Sequence, residues 1–175
     1  MSDSWEDAGN SIEAWAGYAK VHHFAANALR EARNSAVDCI TTDEDDIFID
    51  HLETIPIEIL LRGFALECLF YAIWLKRGNK LVNDGKFKGP DGVGDHQLYQ
   101  FAGVCGLNCN MDMLKRWTRM IVWWSRYPIP KKPTKGSNKD TYTHPGDDDD
   151  YMSLVTNLTR ELGHPWDTSF CLLRS

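Results

Sequence analysis

The chain lacks strand-like alternation of apolar and polar residues, internal repeats, and any catalytic signature of fixed spacing. The first absence argues against a sheet fold and the second against a repeat architecture. The third leaves the kind of fold more legible than its work. Cysteine is sparse: Cys39, Cys68, Cys105, Cys109 and Cys171 are odd in number and scattered, two of them within apolar helical stretches. Buried, reduced thiols of a cytoplasmic protein account for them. Cys105 and Cys109 form a C-x3-C pair with no second ligand pair nearby, so neither zinc nor any other metal or cofactor is expected. The acidic, polar opening MSDSWEDAGN does not read as a signal or transit peptide. With 19 basic residues against 25 acidic ones the formal charge is −6, which excludes a surface that binds nucleic acid all over but leaves room for a local basic patch.

What is present is apolar helix. The 175 residues, 43% of them apolar, suffice for one domain with a core of its own, here residues 1–175 with a core over 11–163 and a tail over 164–175. The centre is residues 57–75, IEILLRGFALECLFYAIWL, greasy on almost every face and so read as the middle helix of a packed bundle. Only Glu58, Arg62 and Glu67 interrupt it. Those charges make membrane insertion costly, and no membrane partner is expected.

Around this centre the chain divides into helices. Ile12, Trp15, Ala16, Ala19, His23, Ala26 and Leu29 follow helical spacing and predict a first helix over 11–40, with Glu31, Arg33 and Asn34 on its solvated side. Thr41 and Glu44 have capping-box spacing within an acidic run, and Pro56 predicts a kink or the first turn of the central helix. Gly78 stops that helix. Residues 79–95 are a glycine-rich loop without the G-x-x-x-x-G-K-[ST] pattern of a P-loop. A short helix over 96–105 follows, and then a helix capped by Asn110 with Met113, Leu114, Trp117, Met120, Ile121 and Trp124 on one face and Lys115, Arg116 and Arg119 on the other. Residues 128–150 form a second long loop, and the aspartates at 147–150 supply the N-terminal charge of a last helix, buried through Met152, Val155, Leu158 and Leu162 and stopped by Gly163 and Pro165. The expected fold is therefore all-α, a bundle of about five helices. If they alternate up and down, both long loops gather at one end.

That end would concentrate Lys76, Arg77, Lys80, Lys86, Lys88, Arg126, Lys131, Lys132 and Lys135, a basic pole suited to a phosphate or RNA backbone. The plainer reading is a solvated charged end that the aspartates neutralise. A second polar cluster is Arg62, Glu67, His96, Arg126 and Tyr127. Glu58 and Arg62 share a helical face. A buried Glu67 needs a partner, and either His96 or Arg126 can supply it. The structural reading of such a pair is a device that fixes helix register.

Three segments, GFALECLFYAIWLKRGNK (63–80), GDHQLYQFA (94–102) and WWSRYPIP (123–130), together resemble bacterial HEPN-like proteins: a greasy helix with a Leu-Glu pair, a helix start of Gly-His-Asp-Leu type, and a helix ending in Trp and Arg-Tyr-Pro. The resemblance covers residues 57–130, with Asp95 before His96 where the family more often has the reverse order. It implies an all-α bundle, a homodimer, and a toxin–antitoxin or phage-defence setting. For an enzyme of that kind it implies a metal-independent RNase, in which arginine stabilises phosphate charge and histidine moves a proton. The nearest counterpart of the family's Arg-x4–6-His pair is Arg160 with His164, one residue shorter, with Gly163 and Pro165 placing His164 beyond the helix end.

Two functions follow. One is a HEPN-like RNA- or nucleotide-binding protein, with Arg62, Glu67, Lys76, His96, Arg126 and Tyr127 as binding residues and Arg160 and His164 as the catalytic candidates. The other is a non-catalytic dimerisation or protein-interaction module built on Trp117, Trp123, Trp124 and the tail. Metal-dependent hydrolysis is disfavoured, because four consecutive aspartates cannot all face one metal from a helix.

Overall fold

The organising element is α3, Glu44–Lys76, a single helix that continues through Pro56 and so reaches well beyond the apolar stretch at its centre. A proline inside a helix costs about 3 kcal/mol. Here the turns that follow bury Glu58, Ile59 and Arg62 against neighbouring helices, and that packing carries the helix across the break. A computed structural model describes residues 3–38, 44–124 and 144–166. Among them lie five further helices: α1 (Asp3–Gly9), α2 (Ile12–Asp38), α4 (Leu98–Val104), α5 (Met111–Arg119) and α6 (Asp147–Leu162). The all-α bundle expected from the sequence is what forms. None of the described helices is long and apolar enough to cross a membrane. Thr41, Arg126, Tyr127, Lys131, Lys132 and Lys135, with the roles expected of them, lie outside the described residues.

Around α3 the core is continuous. Ile59, Leu66, Leu69, Phe70 and Ile73 pack with Ala16 and Ala19 of α2, Leu98 and Phe101 of α4, Met113, Leu114 and Trp117 of α5, and Val155 and Leu158 of α6. Asn110 caps α5 as expected, its side chain accepting from the amides of Asp112 and Met113 at 3.1 and 3.0 Å. Past Arg119 the helix widens into a π-helical turn over Met120–Trp124. Gly163 ends α6 in the left-handed conformation, φ 84°.

Several expectations need correction. The loop over 79–95 contains a small antiparallel hairpin, β1 (Val82–Asn83) and β2 (Lys86–Phe87), turned at Asp84 and Gly85, both at positive φ. It is tied down by Asn10, whose side chain accepts from the amides of Leu81 and Val82 and donates to the Val82 carbonyl at 2.8 Å. Arg33 and Arg116 are not on solvated faces, since each is largely buried in an ion pair. The helices also do not simply alternate. Asp148 meets Arg62 while Glu161 meets Arg77, so α6 runs parallel to α3. Residues 144–148 therefore stand beside Arg33, Ile55 and Glu58, at the opposite end of the bundle from residues 79–95. The described basic residues do not share one pole with that second segment.

Gly63 marks a close approach between α3 and the turn after α5: a Cβ there would lie 2.5 Å from Cγ2 of the buried Ile121. Alanine in an open helix gains about 1 kcal/mol over glycine, but overpacking a core costs about 1–3 kcal/mol. Gly63→Ala is expected to lower stability in urea denaturation, and to become stabilising in an Ile121→Ala background, which removes the obstructing methyl group.

Candidate functional site

Three polar assemblies surround α3, and each is positioned by a different pair of helices. The first is buried. Arg62 is 1% exposed. It lies 2.8 Å from Glu58 one turn earlier, bonds Asp148 in the first turn of α6, and stacks 4.9 Å over the Tyr151 ring. From α2, Arg33 reaches Glu58 at 2.5 Å and Arg30 reaches Asp148 at 3.4 Å. The Glu58 contact is ionic rather than an aligned hydrogen bond, since Nη2 and Nε of Arg62 have no hydrogen-bond partner among the described residues. Burial pushes the Asp148 carboxyl up, but the Arg62 hydrogen bond and charge, with Arg30, hold it below the usual carboxylate range. A cleft of about 180 Å³ opens beside this network, lined in part by Arg33, Glu58, His144 and Asp148.

His23 sits behind the network. Asn27 donates its Nδ2 to Nε2 of His23 at 3.0 Å, so the ring proton sits on Nδ1 and is donated to the Tyr151 hydroxyl at 2.8 Å. Burial first, then the charges of Arg62 and Arg30, lower the His23 pKa to about 4. The imidazole is neutral at physiological pH, and Tyr151, pushed up by burial, keeps its proton. This assembly binds helices together; its carboxylates and guanidiniums are occupied with one another.

The second assembly joins α3 to the start of α4. Glu67 accepts from Nδ1 of His96 at 2.9 Å, from the His96 amide at 3.2 Å and from the Tyr71 hydroxyl at 3.1 Å. Of the two partners expected for Glu67, His96 is the one observed. His96 adopts φ 60°, a conformation rare for a residue with a side chain, and its ring lies 5.7 Å from that of Phe64. A carboxylate that fixes the orientation of a half-buried imidazole is an arrangement found in structural cores and in binding or acid–base sites alike.

The third assembly went unseen in the sequence. Between α4 and α5 lies an open groove of about 320 Å³, lined by Gln97, Tyr99, Lys115, Thr118, Arg119 and Val122. Lys115, Thr118, Arg119 and Val122 share a face by their three- and four-residue spacing, and only the cationic character of that face was legible.

The remaining candidates stand apart. Lys76 donates to the Glu161 carbonyl, and Arg77 donates to the Cys105 carbonyl and pairs with Glu161 at 3.0 Å, so both hold helix ends together. Arg160 reaches Asn157 at 3.4 Å, and His164 lies exposed past the end of α6. No hydrogen bond or ion pair among the described residues joins Arg160 to His164. Burial pushes the Cys68 thiol up to about 12 and that of Cys105 up to about 11, so both stay protonated and unreactive near neutrality.

No family model matches this chain, nor does any curated protein or solved structure.

His23 generates a pH dependence. The unfolded imidazole takes up its proton near 6.5 and the folded one only near 4, so between those values the unfolded state binds more protons. Stability is expected to be full above pH 6.5 and to fall by up to about 3 kcal/mol as the pH drops to about 4. Below that, Asp148 adds a further loss. Urea midpoints measured across this range should show the first limb in the wild type and not in His23→Leu.

Proposed function

We propose that the chain is a HEPN-like helical protein that binds RNA or a nucleotide, in a bacterial toxin–antitoxin or defence setting. The observation that carries this reading is the Glu67–His96 contact. The two residues are polar members of separate segments of the resemblance, the Leu-Glu pair and the Gly-Asp-His-Gln-Leu helix start, and they meet at 2.9 Å where the imidazole is half-buried. Lys115 and Arg119 add cationic surface on the neighbouring helix, as an anionic ligand requires. Binding rather than cleavage is the weight of the reading, because no hydrogen bond or ion pair among the described residues joins Arg160 to His164.

The test is fluorescence anisotropy of a labelled short single-stranded RNA, and calorimetry with a nucleotide, across a salt series. Binding that weakens with salt is expected, with about ten-fold weaker affinity in Glu67→Gln and His96→Ala. Negligible binding of both ligands at low salt would sink the reading.

A second reading, a dimerisation module, is favoured by α2. Tyr18, Val21, Ala25, Ala28 and Ala32 alternate three and four residues apart along its outer face and are all exposed, Tyr18 and Val21 each at 64%. This is a seven-residue repeat of mostly small side chains, the pattern with which one helix approaches another closely. Its fitting occupant is a second copy of the chain, antiparallel about Ala25. A two-fold interface must be self-complementary, and in that register the large Tyr18 stands level with the small Ala32 of the partner subunit. Sedimentation is expected to show a dimer that Ala25→Glu converts to monomer; a wild-type monomer at high micromolar concentration would remove this reading.

A further inference from the structure

The groove between α4 and α5 contains a polar group that the fold itself does not satisfy. Thr118 is 5% exposed, lines the groove, and its hydroxyl has no hydrogen-bond partner among the described residues. A threonine within a helix has the carbonyl one turn back within easy reach, yet this hydroxyl does not use it. Leaving such a group buried and unpaired costs about 1–3 kcal/mol, and valine would fill the same volume without that loss.

Its surroundings define what would satisfy it. Lys115 and Arg119 stand three residues before it and one after it along the same helical segment, both exposed. Arg119 makes no ion pair among the described residues. Lys115 has only Asp112, at 3.1 Å and with both side chains largely solvated, a pairing that contributes little and exchanges readily. No acidic residue lines the groove among the described residues. From the opposite wall α4 contributes the Gln97 carboxamide and the Tyr99 ring, and Val122 adds an apolar surface. Two cations and a hydroxyl suit a phosphate, to which guanidinium and ammonium bind by charge-assisted hydrogen bonds. The tyrosine ring, the valine and the amide suit a planar group carrying polar edges. A volume of about 320 Å³ is at the small end of pockets that hold such ligands.

We infer that this groove binds a phosphomonoester attached to a planar ring, with Lys115 and Arg119 on the phosphate, the Thr118 hydroxyl bonded to one of its oxygens, and Tyr99 and Val122 against the ring. The inference shares with the proposed function only the premise that a nucleotide is a ligand, and a ring phosphate that is not a nucleotide leaves it standing.

The full chain is titrated with phenyl phosphate, adenosine 5′-monophosphate and adenosine, by calorimetry and by methyl NMR of Thr118 and Val122. The two phosphates are expected to bind at least about ten-fold more tightly than adenosine and to shift both methyl resonances. Lys115→Gln with Arg119→Gln should remove that preference. Thr118→Val should weaken phosphate binding several-fold with thermal stability unchanged or raised, a combination that mere loss of packing does not give. Adenosine binding as tightly as its monophosphate, or phosphate affinity unchanged in the folded Lys115→Gln/Arg119→Gln variant, overturns the inference. Tighter binding of the nucleotide than of phenyl phosphate supports both groove and nucleotide. Equal binding supports the groove and counts against the nucleotide. RNA binding that depends on Glu67 and His96, together with phosphate affinity unchanged in the Lys115→Gln/Arg119→Gln variant, supports the proposed function while overturning the assignment of this groove.

Discussion

A guanidinium in the middle of the bundle is the constraint on which much else depends. An isolated charge of that kind in an apolar interior is prohibitively expensive, and it is tolerated only when opposite charges accompany it. Arg62 obtains them from two places, its own helix through Glu58 and α6 through Asp148. Each carboxylate is shared with a further arginine from α2. Three helices are thereby fixed in register by one side chain. Such a network adds little net stability over a well-packed apolar core, because desolvation offsets most of the Coulombic gain. Its effect is on arrangement: a slide of α6 by one turn would take Asp148 from the buried Arg62 guanidinium and leave it Glu58 alone. Burial, reinforced by the same positive charge, keeps His23 neutral, which in turn lets that imidazole bond Tyr151 and Asn27 as an uncharged ring.

The run of aspartates at the start of α6 divides its labour. All four favour the positive end of the helix dipole, but individual residues also reach different helices. Asp147 is buried against Arg116 of α5, Asp148 bonds Arg62 and Arg30, and Asp150 accepts from the Asn110 side chain at 2.6 Å. A run that looks like generic solubilising charge is a docking plug for three helices. That is why α6 starts beside Glu58 and runs parallel to α3.

What was legible in the sequence was whatever is decided locally. All-round apolarity identified the centre of α3, the Asn110 side chain identified a cap, and Gly163 with Pro165 identified a stop. A carboxylate inside a greasy helix demanded a partner, and His96 was one of two partners that the demand named. What stayed hidden depends on tertiary pairing. Arg116 lies at the border of the apolar stripe of α5, so only Asp147 decides that it turns inward. The hairpin at Asp84-Gly85 has a recognisable turn, but strands of two residues are too short for alternation to register. Counting helices up and down makes α6 antiparallel to α3, and only the Arg62–Asp148 and Arg77–Glu161 pairs decide that it is parallel. The groove beside Thr118 was invisible because one of its walls belongs to another helix.

The short helix α4 links the two surface assemblies. Seven residues do not hold a helix by their own hydrogen bonds, so its position is imposed by its neighbours. Phe101 stacks with Phe70 at 6.0 Å and meets Tyr71 edge-on at 5.1 Å, anchoring its core side to α3. Its first turn is set by Glu67, which holds both the amide and the imidazole of His96 and so sustains a backbone conformation that side chains rarely adopt. Gln97 and Tyr99 follow immediately and form the α4 wall of the groove. A carboxylate on the central helix therefore positions one wall of the groove without lining it. The Glu67–His96 pair acts as a register pin, and in a helix this short the pin also sets where Tyr99 stands.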